Sequence, residues 1–512
     1  ALAHTLAEEY AGNTVAPELW DRLEQHYTAS VAGRYEADLA LAFLHSVRRA
    51  VFMDNWTPVD YAVDIKTQSS SDSDVMLSRA VDEIDAALIQ EMLAIPSFGI
   101  PFRDAVGDSE RAADKVDRAL RKRGLADSIT AVDVIRGGFF RNRGVYVVGR
   151  IRLHGGSVTP LILALLHDEV GIYIDAVLAD EPEAHNLFST TRANFIVTND
   201  HYHELAEFLY GIMPKRPLGL HYSSLGFNHF GKVAVMDELT VELTEDDAVL
   251  DTAVGFPGTV AIGFQAPGSV YNLKVIRDHP TDNYKWGDFA GVESVLEKYR
   301  RVHDINRTGS MLDNAIYYNV TLPKSHFAME LLSEMLEDAS NAVSLRGTTV
   351  FFQHLIVQRK MIPMPVFLEQ APREDCERAV ISLGQCIKNN MAANIFNRDL
   401  DGRNYGVGSH IRVYLFDYDA LETFTDVKIR SNQGRFDGEE DIPGWFFEDG
   451  VVFLPEEIES GLRIVDRDLR RLFRSVHGDL LKVEYWQRIQ DELRCGNVPQ
   501  IQVYPESSCL GA

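Results

Sequence analysis

Between Asn394 and Asp419 the chain sets acids and an amide at spacings that suit metal-assisted phosphoryl transfer. Asn394-Ile395-Phe396-Asn397-Arg398-Asp399-Leu400-Asp401-Gly402-Arg403-Asn404 is followed by the apolar run Val413-Tyr414-Leu415-Phe416 and then by Asp417-Tyr418-Asp419. Asp399 can orient and deprotonate an attacking hydroxyl. Asn404, five positions on, and Asp417, eighteen positions on, can supply oxygens to a hard divalent cation. The competing reading is an Asx-rich turn before a strand, because Asp and Asn readily bond their own backbone. Two acids and an amide can arise by chance in an acidic chain, but Arg398, Leu400 and the apolar lead into Asp417 make coincidence a poor account of the whole pattern.

Residues of this kind must be held by a sizeable fold, and 512 residues suffice for two or three domains. Hydrophobic residues at 46% and charged residues at 25% are ordinary for a soluble globular protein, and no apolar run approaches the roughly 18 residues of a membrane span. A formal net charge of −26 disfavours nucleic acid and anionic membrane as partners, so a phosphate-bearing ligand must be held by local cations, amides or metal. The four cysteines, Cys376, Cys386, Cys495 and Cys509, form no C-x-x-C pair and no disulfide framework, which points to a reducing compartment and a cytoplasmic location. The opening Ala1-Leu2-Ala3-His4 shows no secretory signal; the missing initiator Met suggests processing, and whether residues precede Ala1 is left open.

Residues 1 to about 130 read as helical. Tyr35, Leu39 and Phe43 recur every four, and Val81, Ile84 and Leu88 every three or four within 80–89. Ser69-Ser70-Ser71-Asp72-Ser73-Asp74 reads as a polar loop between them, with a helix cap at its end. From about 133 to 180, Val145–Ile151, Leu161–Leu166 and Gly171–Leu178 have strand lengths separated by turn residues, predicting a small antiparallel sheet. Helical pattern returns at His203–Leu209, and a domain boundary falls between 230 and 250, at about 240. From Ala253 the order reads glycine-punctuated strand, strand, helix, helix, strand, helix, catalytic loop, strand. Asp437–Phe446 is an acidic, turn-rich tract before helices near 455–495.

A phosphate-binding cation and a covering loop should accompany the acids. Val260–Arg277 divides into two antiparallel strands with Lys274 near the middle of the second, and the alternative there is a solvent-facing lysine on an edge strand. Gly255 and Gly258 lie just upstream; they are not a G-x-G-x-x-G, and either let backbone amides approach phosphate or make a turn. Glu293 and Glu297, one turn apart on the next helix, are the candidate carboxylate partners of Lys274, and each can instead be a solvated helix charge. Phe351–Met364 reads as a strand entering an inter-lobe connection, whose backbone from Gln358 to Met361 is expected to meet adenine. His201-Tyr202-His203 and His303-Asp304 lack the further ligands a zinc or di-metal site requires.

The catalytic stretch resembles H-R-D-L-x-x-x-N followed by D-F-G of protein kinases, with Lys274 in the setting of their strand lysine. Over about Phe139 to Tyr504 the chain more specifically resembles the bacterial isocitrate dehydrogenase kinase/phosphatases. The resemblance is carried by Phe140–Arg150, Leu187-Phe188-Ser189-Thr190-Thr191-Arg192, Tyr222-Ser223-Ser224-Leu225-Gly226-Phe227, Lys274-Val275-Ile276-Arg277-Asp278, Arg359-Lys360-Met361-Ile362-Pro363, Leu368-Glu369-Gln370, Ala392–Phe396, Phe416–Asp419 and His477-Gly478-Asp479-Leu480. It departs at Asn397-Arg398, where the family is expected to carry proline-glycine.

The resemblance implies an α+β fold: a bilobal protein-kinase-like catalytic domain over 241–512 (N-lobe about 250–360, C-lobe about 361–512), preceded over 1–240 by a mainly helical regulatory domain carrying the small sheet. It implies ATP and ADP with Mg²⁺ or Mn²⁺, AMP as an allosteric ligand between the domains, and isocitrate dehydrogenase as the protein substrate. That substrate is phosphorylated and dephosphorylated at one nucleotide site, controlling entry to the glyoxylate bypass, with an ATPase side reaction. By position, Lys274 contacts the phosphates, Asp399 is the kinase base, Asn404 and Asp417 hold metal, and Asp419 serves chiefly the phosphatase. Ordinary kinases have glycine at the place of Asp419, and an added carboxylate able to orient water is a physical reason for hydrolysis. The alternatives are a kinase-fold enzyme for a small molecule and a catalytically silent nucleotide-binding module. The appended first 230 residues argue against the former, and the full set of polar catalytic positions against the latter. Oligomeric state, a homodimer included, is not set by the sequence.

Overall fold

The strand-length runs near the middle of the first half are apolar on both sides of the pleat, so they require cover on both faces. The structure, a computed structural model, describes residues 5–6, 16–52, 75–188, 194–245, 248–284, 289–304, 309–431, 449–501 and 503–511. In it β1 (Met76–Ala80), β2 (Ile129–Ile135), β3 (Phe139–Arg141), β4 (Gly144–Leu153), β5 (Val158–His167), β6 (Ile172–Leu178) and β7 (Ile196–Val197) form one seven-stranded sheet. Every pairing in it is antiparallel, with β4 taking β5 along one edge and β2 and β3 along the other.

Helices α1 (Pro17–Val31) and α2 (Ala37–Val51) form the N-terminal hairpin, followed by α3 (Ala86–Leu93) and α4 (Ala105–Lys122). Val147, Ile151, Leu161 and Leu163 pack under α3 and α4. The alternate residues Tyr146, Val148, Ile162 and Ala164 pack under α5 (Glu181–Phe188), α6 (Tyr202–Ile212) and α7 (Leu218–Ser224), and α8 (Asn228–Glu245) follows.

This corrects the sequence reading in three places. The sheet reaches from Met76 to Val197 instead of about 133–180, because β1 lies inside the stretch expected to be helical. Helix α3 starts only at Ala86, where the Asp85 side chain accepts the Leu88 N–H at 2.8 Å as its cap. Phe43 is exposed, so Tyr35, Leu39 and Phe43 are not one buried stripe. The Ser69–Asp74 loop and the Asp437–Phe446 tract lie outside the described residues.

The second half opens with a sheet of β8 (Asp251–Thr252), β9 (Ala261–Gln265), β10 (Tyr271–Ile276), β11 (Asn314–Pro323), β12 (Val343–Arg346) and β13 (Thr349–Arg359), ordered β11-β13-β10-β9-β8 with β12 also on β13. Helices α9 (Val292–Arg301) and α10 (Met329–Asp338) accompany it; β11 stands where the sequence reading had only helix. After β14 (Ile362–Pro363) the chain becomes helical with α11 (Met364–Gln370) and α12 (Arg373–Ala392). Short strands β15 (Ile395–Asn397), β16 (Tyr405–Val407), β17 (Val413–Leu415) and β18 (Leu421–Thr423) follow, then α13 (Ile458–Gly461), α14 (Arg467–His477) and α15 (Val483–Arg494). Leu383, Phe424, Phe473 and Trp486 share the core of this lobe. Helices α12 and α14 meet closely at Gly384, where a Cβ would stand 2.1 Å from the His477 ring.

The halves are joined by polar contacts. Buried Arg359 donates to His185 Nε2 (2.8 Å), Lys215 O (3.1 Å) and Ser409 Oγ (2.5 Å), and Arg412 donates to Asn186 O at 2.6 Å. The C-terminal residues return to the first sheet, with Leu510 N–H on Asp175 O at 2.8 Å and Lys115 Nζ on Cys509 O at 2.6 Å. Among the described residues no helix is long and apolar enough to cross a membrane.

Candidate active site

Strand alternation determines which way Lys274 faces. Leu273 and Val275 enter the N-lobe core with α10, so Lys274 and Ile276 face α9 and the helical lobe. β10 lies between β9 and β13, so Lys274 is on an inner strand, and it is 6% exposed. Its ammonium donates to Phe416 O (3.2 Å) and to Tyr299 Oη (3.3 Å). Burial lowers its basicity, and the Asp417 and Asp419 carboxylates oppose that shift.

Neither Glu293 nor Glu297 pairs with Lys274. Both are exposed and both accept from Arg300, at 2.6 and 3.0 Å. Buried Val295, Leu296 and Tyr299 define the inward face of α9, and the two glutamates lie outside it. What α9 sends into the site is Tyr299, 1% exposed, whose hydroxyl donates to Asp417 Oδ1 at 3.3 Å. Burial raises that phenol far above its ordinary range, with the two aspartates adding to the shift.

The loop after β15 is shaped by its own side chains. Asp399 N–H donates to Asn397 Oδ1 (3.1 Å), and Asn404 Nδ2 donates to the Asp399 carbonyl (2.9 Å). Asp401 is structural: it caps the turn through Arg403 N–H (2.9 Å) and is clasped by the guanidiniums of Arg403 and Arg463, each at 2.8 Å. Gly402 is required because a Cβ there would lie 2.2 Å from Leu462 O. The Asp399 carboxyl is raised by burial, against the lowering effect of Asn404.

β16 and β17 then carry the chain out and back, and Phe416 N–H closes the hairpin on Asn404 O at 3.1 Å. In Asp417-Tyr418-Asp419 the central tyrosine is fully buried, donating to Leu312 O and to Leu415 O (3.1 Å). The flanking aspartates both act on Lys274. Lys298 donates to the Asp419 carbonyl. Burial, reinforced by Asp417, pushes the Asp419 carboxyl up to about 7, with Lys274 and Lys298 opposing. Two half-buried acids two residues apart are a site suited to a cation. Among the described residues no cluster of three or more His, Cys, Asp or Glu could hold a metal alone. The set here is two carboxylates and an amide, all oxygen donors, which suits Mg²⁺ completed by water and phosphate.

Gly255 and Gly258 lie in the exposed loop between β8 and β9, whose Phe256 ring meets the Arg403 guanidinium at 5.5 Å. A Cβ on Gly258 would lie 2.3 Å from Ala261 O, so this glycine serves the turn. Gly255 has φ +130° and approaches Pro363. Gln358 departs from expectation: its backbone is in the sheet, opposite Asn272 and Asn314, while its buried amide donates to Phe416 O at 3.2 Å. Its Oε1 has no protein partner. The Met361 side chain packs against Gly406 and Gly408, at the passage between the lobes. The histidines set aside as metal pairs have other partners. His203 contacts Asp38 Oδ2 (2.6 Å) and Tyr222 Oη (2.8 Å), and His303 contacts Asn314 O (3.0 Å).

Sequence reasoning missed Tyr299, Lys298 and the Phe416 carbonyl. The apolar spacing of α9 carried the signal for the first, and no sequence signal marks a carbonyl.

Comparison with known proteins places the chain in a family. Residues 1–247 match the family model described as isocitrate dehydrogenase kinase/phosphatase (AceK), regulatory domain, and residues 248–506 match that of its kinase domain. An isocitrate dehydrogenase kinase/phosphatase of Rhodopseudomonas palustris (strain HaA2) is 48% identical over 96% of this chain and 82% of its own length. That of strain BisB5 is 47% identical with the same coverage. One from Anaeromyxobacter sp. (strain Fw109-5) is 31% identical over 100% of this chain and 88% of its own. With both models matched in order and near-half identity over almost the whole length, the chain belongs to the isocitrate dehydrogenase kinase/phosphatase family.

Proposed function

We propose that this protein is an ATP-dependent protein serine kinase and phosphatase acting on isocitrate dehydrogenase at one nucleotide site, and so sets flux between the tricarboxylic acid cycle and the glyoxylate bypass. The observation that carries the reading is a second carboxylate in the field of the phosphate-binding lysine: Lys274 is buried, and Asp417 and Asp419 both favour its charged form. Asp399 and Asn404 stand on the adjoining loop.

In the kinase direction Asp399 takes the proton of the serine hydroxyl as its oxygen bonds to the γ-phosphorus of ATP. The bond from that phosphorus to the β,γ-bridging oxygen breaks, and ADP leaves. Lys274 orients the phosphates. Asn404 and Asp417 would hold Mg²⁺ or Mn²⁺, which when bound neutralises charge on the phosphates. In the phosphatase direction the serine oxygen–phosphorus bond breaks, water supplies the new oxygen, and the serine oxygen regains a proton. Asp419, with its carboxyl near 7, is matched to orienting that water and taking its proton. Water in place of the serine hydroxyl gives an ATPase side reaction.

AMP as a regulator belongs to the same reading. Its support is the seam between the halves, where buried Arg359 lines a cavity with Ser223, Lys232 and Asp313, and buried Arg216 lies 3.9 Å from Asp313. The net charge of −26 supports a protein partner over nucleic acid or membrane and fits a cytoplasmic enzyme. The test is incubation with isocitrate dehydrogenase and γ-labelled ATP, then removal of ATP and addition of ADP. Label should enter the dehydrogenase and then leave it. No incorporation sinks the kinase assignment, and label that stays through the ADP step sinks the phosphatase.

A further inference from the structure

The lysine of this site has no carboxylate partner on the neighbouring helix, although Glu293 and Glu297 on α9 were available to evolution one turn apart. A phenol occupies that role. Tyr299 Oη lies 3.3 Å from Lys274 Nζ and 3.3 Å from Asp417 Oδ1. Hydrogen-bond chemistry fixes the direction of both contacts. An ammonium only donates and an ionised carboxylate only accepts, so the tyrosine oxygen accepts from Lys274 and gives its one proton to Asp417. The ring is held edge-on against Tyr418, centroids 5.1 Å apart, and the Tyr299 carbonyl accepts from Asn314 Nδ2 at 3.3 Å. The next residue back, Lys298, reaches the Asp419 carbonyl, so adjacent positions of α9 touch both aspartates.

We infer that Tyr299 is a positioning residue, a neutral substitute for the lysine-pairing acid, used because Asp419 already adds a carboxylate to the site. With an acid at 299, three carboxylates would crowd one lysine and repel one another. With a phenol, Lys274 and Asp417 are each oriented but kept from closing into a direct ion pair, so the ammonium stays free for phosphate and the carboxylate for metal. The inference rests on the nucleotide site proposed above and adds to it the reason that helix α9 contributes no acid.

The experiment is calorimetric binding of Mg·ATP to the full chain, with the nucleotide-free unfolding temperature measured alongside. Tyr299→Phe keeps the ring and removes only the hydroxyl. It should weaken Mg·ATP about 10-fold and raise the Mg²⁺ concentration needed for half-maximal kinase rate by a similar factor, while kcat at saturating Mg²⁺ stays within about 3-fold. A hydroxyl that matters only for packing would lower the unfolding temperature and leave the Mg²⁺ requirement unchanged, which overturns the inference. Tyr299→Glu should weaken Mg·ATP by about 100-fold, and adding Asp419→Asn should recover at least 10-fold of that loss. If Asp419→Asn brings no recovery, the charge-balance argument is wrong. Absence of Mg·ATP binding by the unmutated chain would remove the proposed function together with this inference. Normal binding that Tyr299→Phe leaves intact would remove the inference alone.

Discussion

Acidification should loosen the strand pair that carries Lys274, and His354 is the group responsible. This histidine is 3% exposed on β13, and its Nε2 accepts the Ile276 N–H at 3.2 Å, just past the point where β10 and β13 pair through Lys274 and Ile356. An acceptor nitrogen carries no proton, so protonation breaks that bond and leaves a charge in an apolar sheet. Burial accordingly lowers the imidazole from 6.5 to about 4, with Glu293 and Asp278 opposing. For a base held below its ordinary value, the opened state takes up protons first. The stabilisation is complete above about 6.5 and lost as pH falls toward about 4. Between pH 7 and 4.5 the loss integrates to about 2.5 kcal/mol, or roughly 50- to 100-fold in the opening equilibrium. Hydrogen exchange by mass spectrometry on peptides covering Tyr271–Ile276 and Thr349–Arg359, corrected for intrinsic rates, reads that equilibrium locally. His354→Gln keeps an acceptor without a titratable proton, and its protection should change little over the same range. An equal fall in the variant and the parent would refute the assignment to His354.

Three substitutions probe the site itself. Asp399→Ala should reduce phosphorylation of isocitrate dehydrogenase by about 10² to 10⁴ while nucleotide affinity stays within a few-fold, because the base acts on the hydroxyl; an unchanged kinase rate rejects it as the base. Lys274→Met should depress kinase and phosphatase together, and dephosphorylation at its normal rate would mean that the two reactions do not share a nucleotide site. Asp419→Ala should keep substantial kinase activity and lose most phosphatase activity, assayed on one preparation; equal losses would make Asp419 a common metal or structural residue.

Much of this was legible from residue order. The catalytic loop, Lys274 between apolar neighbours, and the paired aspartates around Tyr418 are local patterns that strand alternation converts directly into geometry. For the α9 carboxylates the alternative of solvated helix charges holds: Glu293 and Glu297 share a face, but the apolar residues Val295, Leu296 and Tyr299 occupy the other one. β11 was missed although Asn314–Pro323 has strand composition, because its ladder partner β13 does not follow across a tight turn: even the nearest pair is Pro323 with Thr349. β1 was hidden by its edge character, with Ser78, Arg79 and Ala80 all exposed and no apolar alternation to mark a strand. The role of Gln358 depends on which strands flank β13, a tertiary fact absent from the local sequence.

The hairpin of β16 and β17 has its turn on the other half of the protein and its two ends on the metal-binding candidates. Asn404 precedes β16, Asp417 follows β17 after Phe416, and Ser409 and Arg412 in the turn are bonded to Arg359 and to the last turn of α5. His410 and Ile411 there hold φ of 60° and 62°, a conformation uncommon for residues with a Cβ and strained for the β-branched Ile411. For anyone dividing this polypeptide into separate reagents, residues 248 onward carry this hairpin without the partners that hold its turn. Cutting near 247 deletes the carbonyl that receives Arg412 and the histidine that receives Arg359. Only two three-residue strands separate that turn from Asn404 and Asp417.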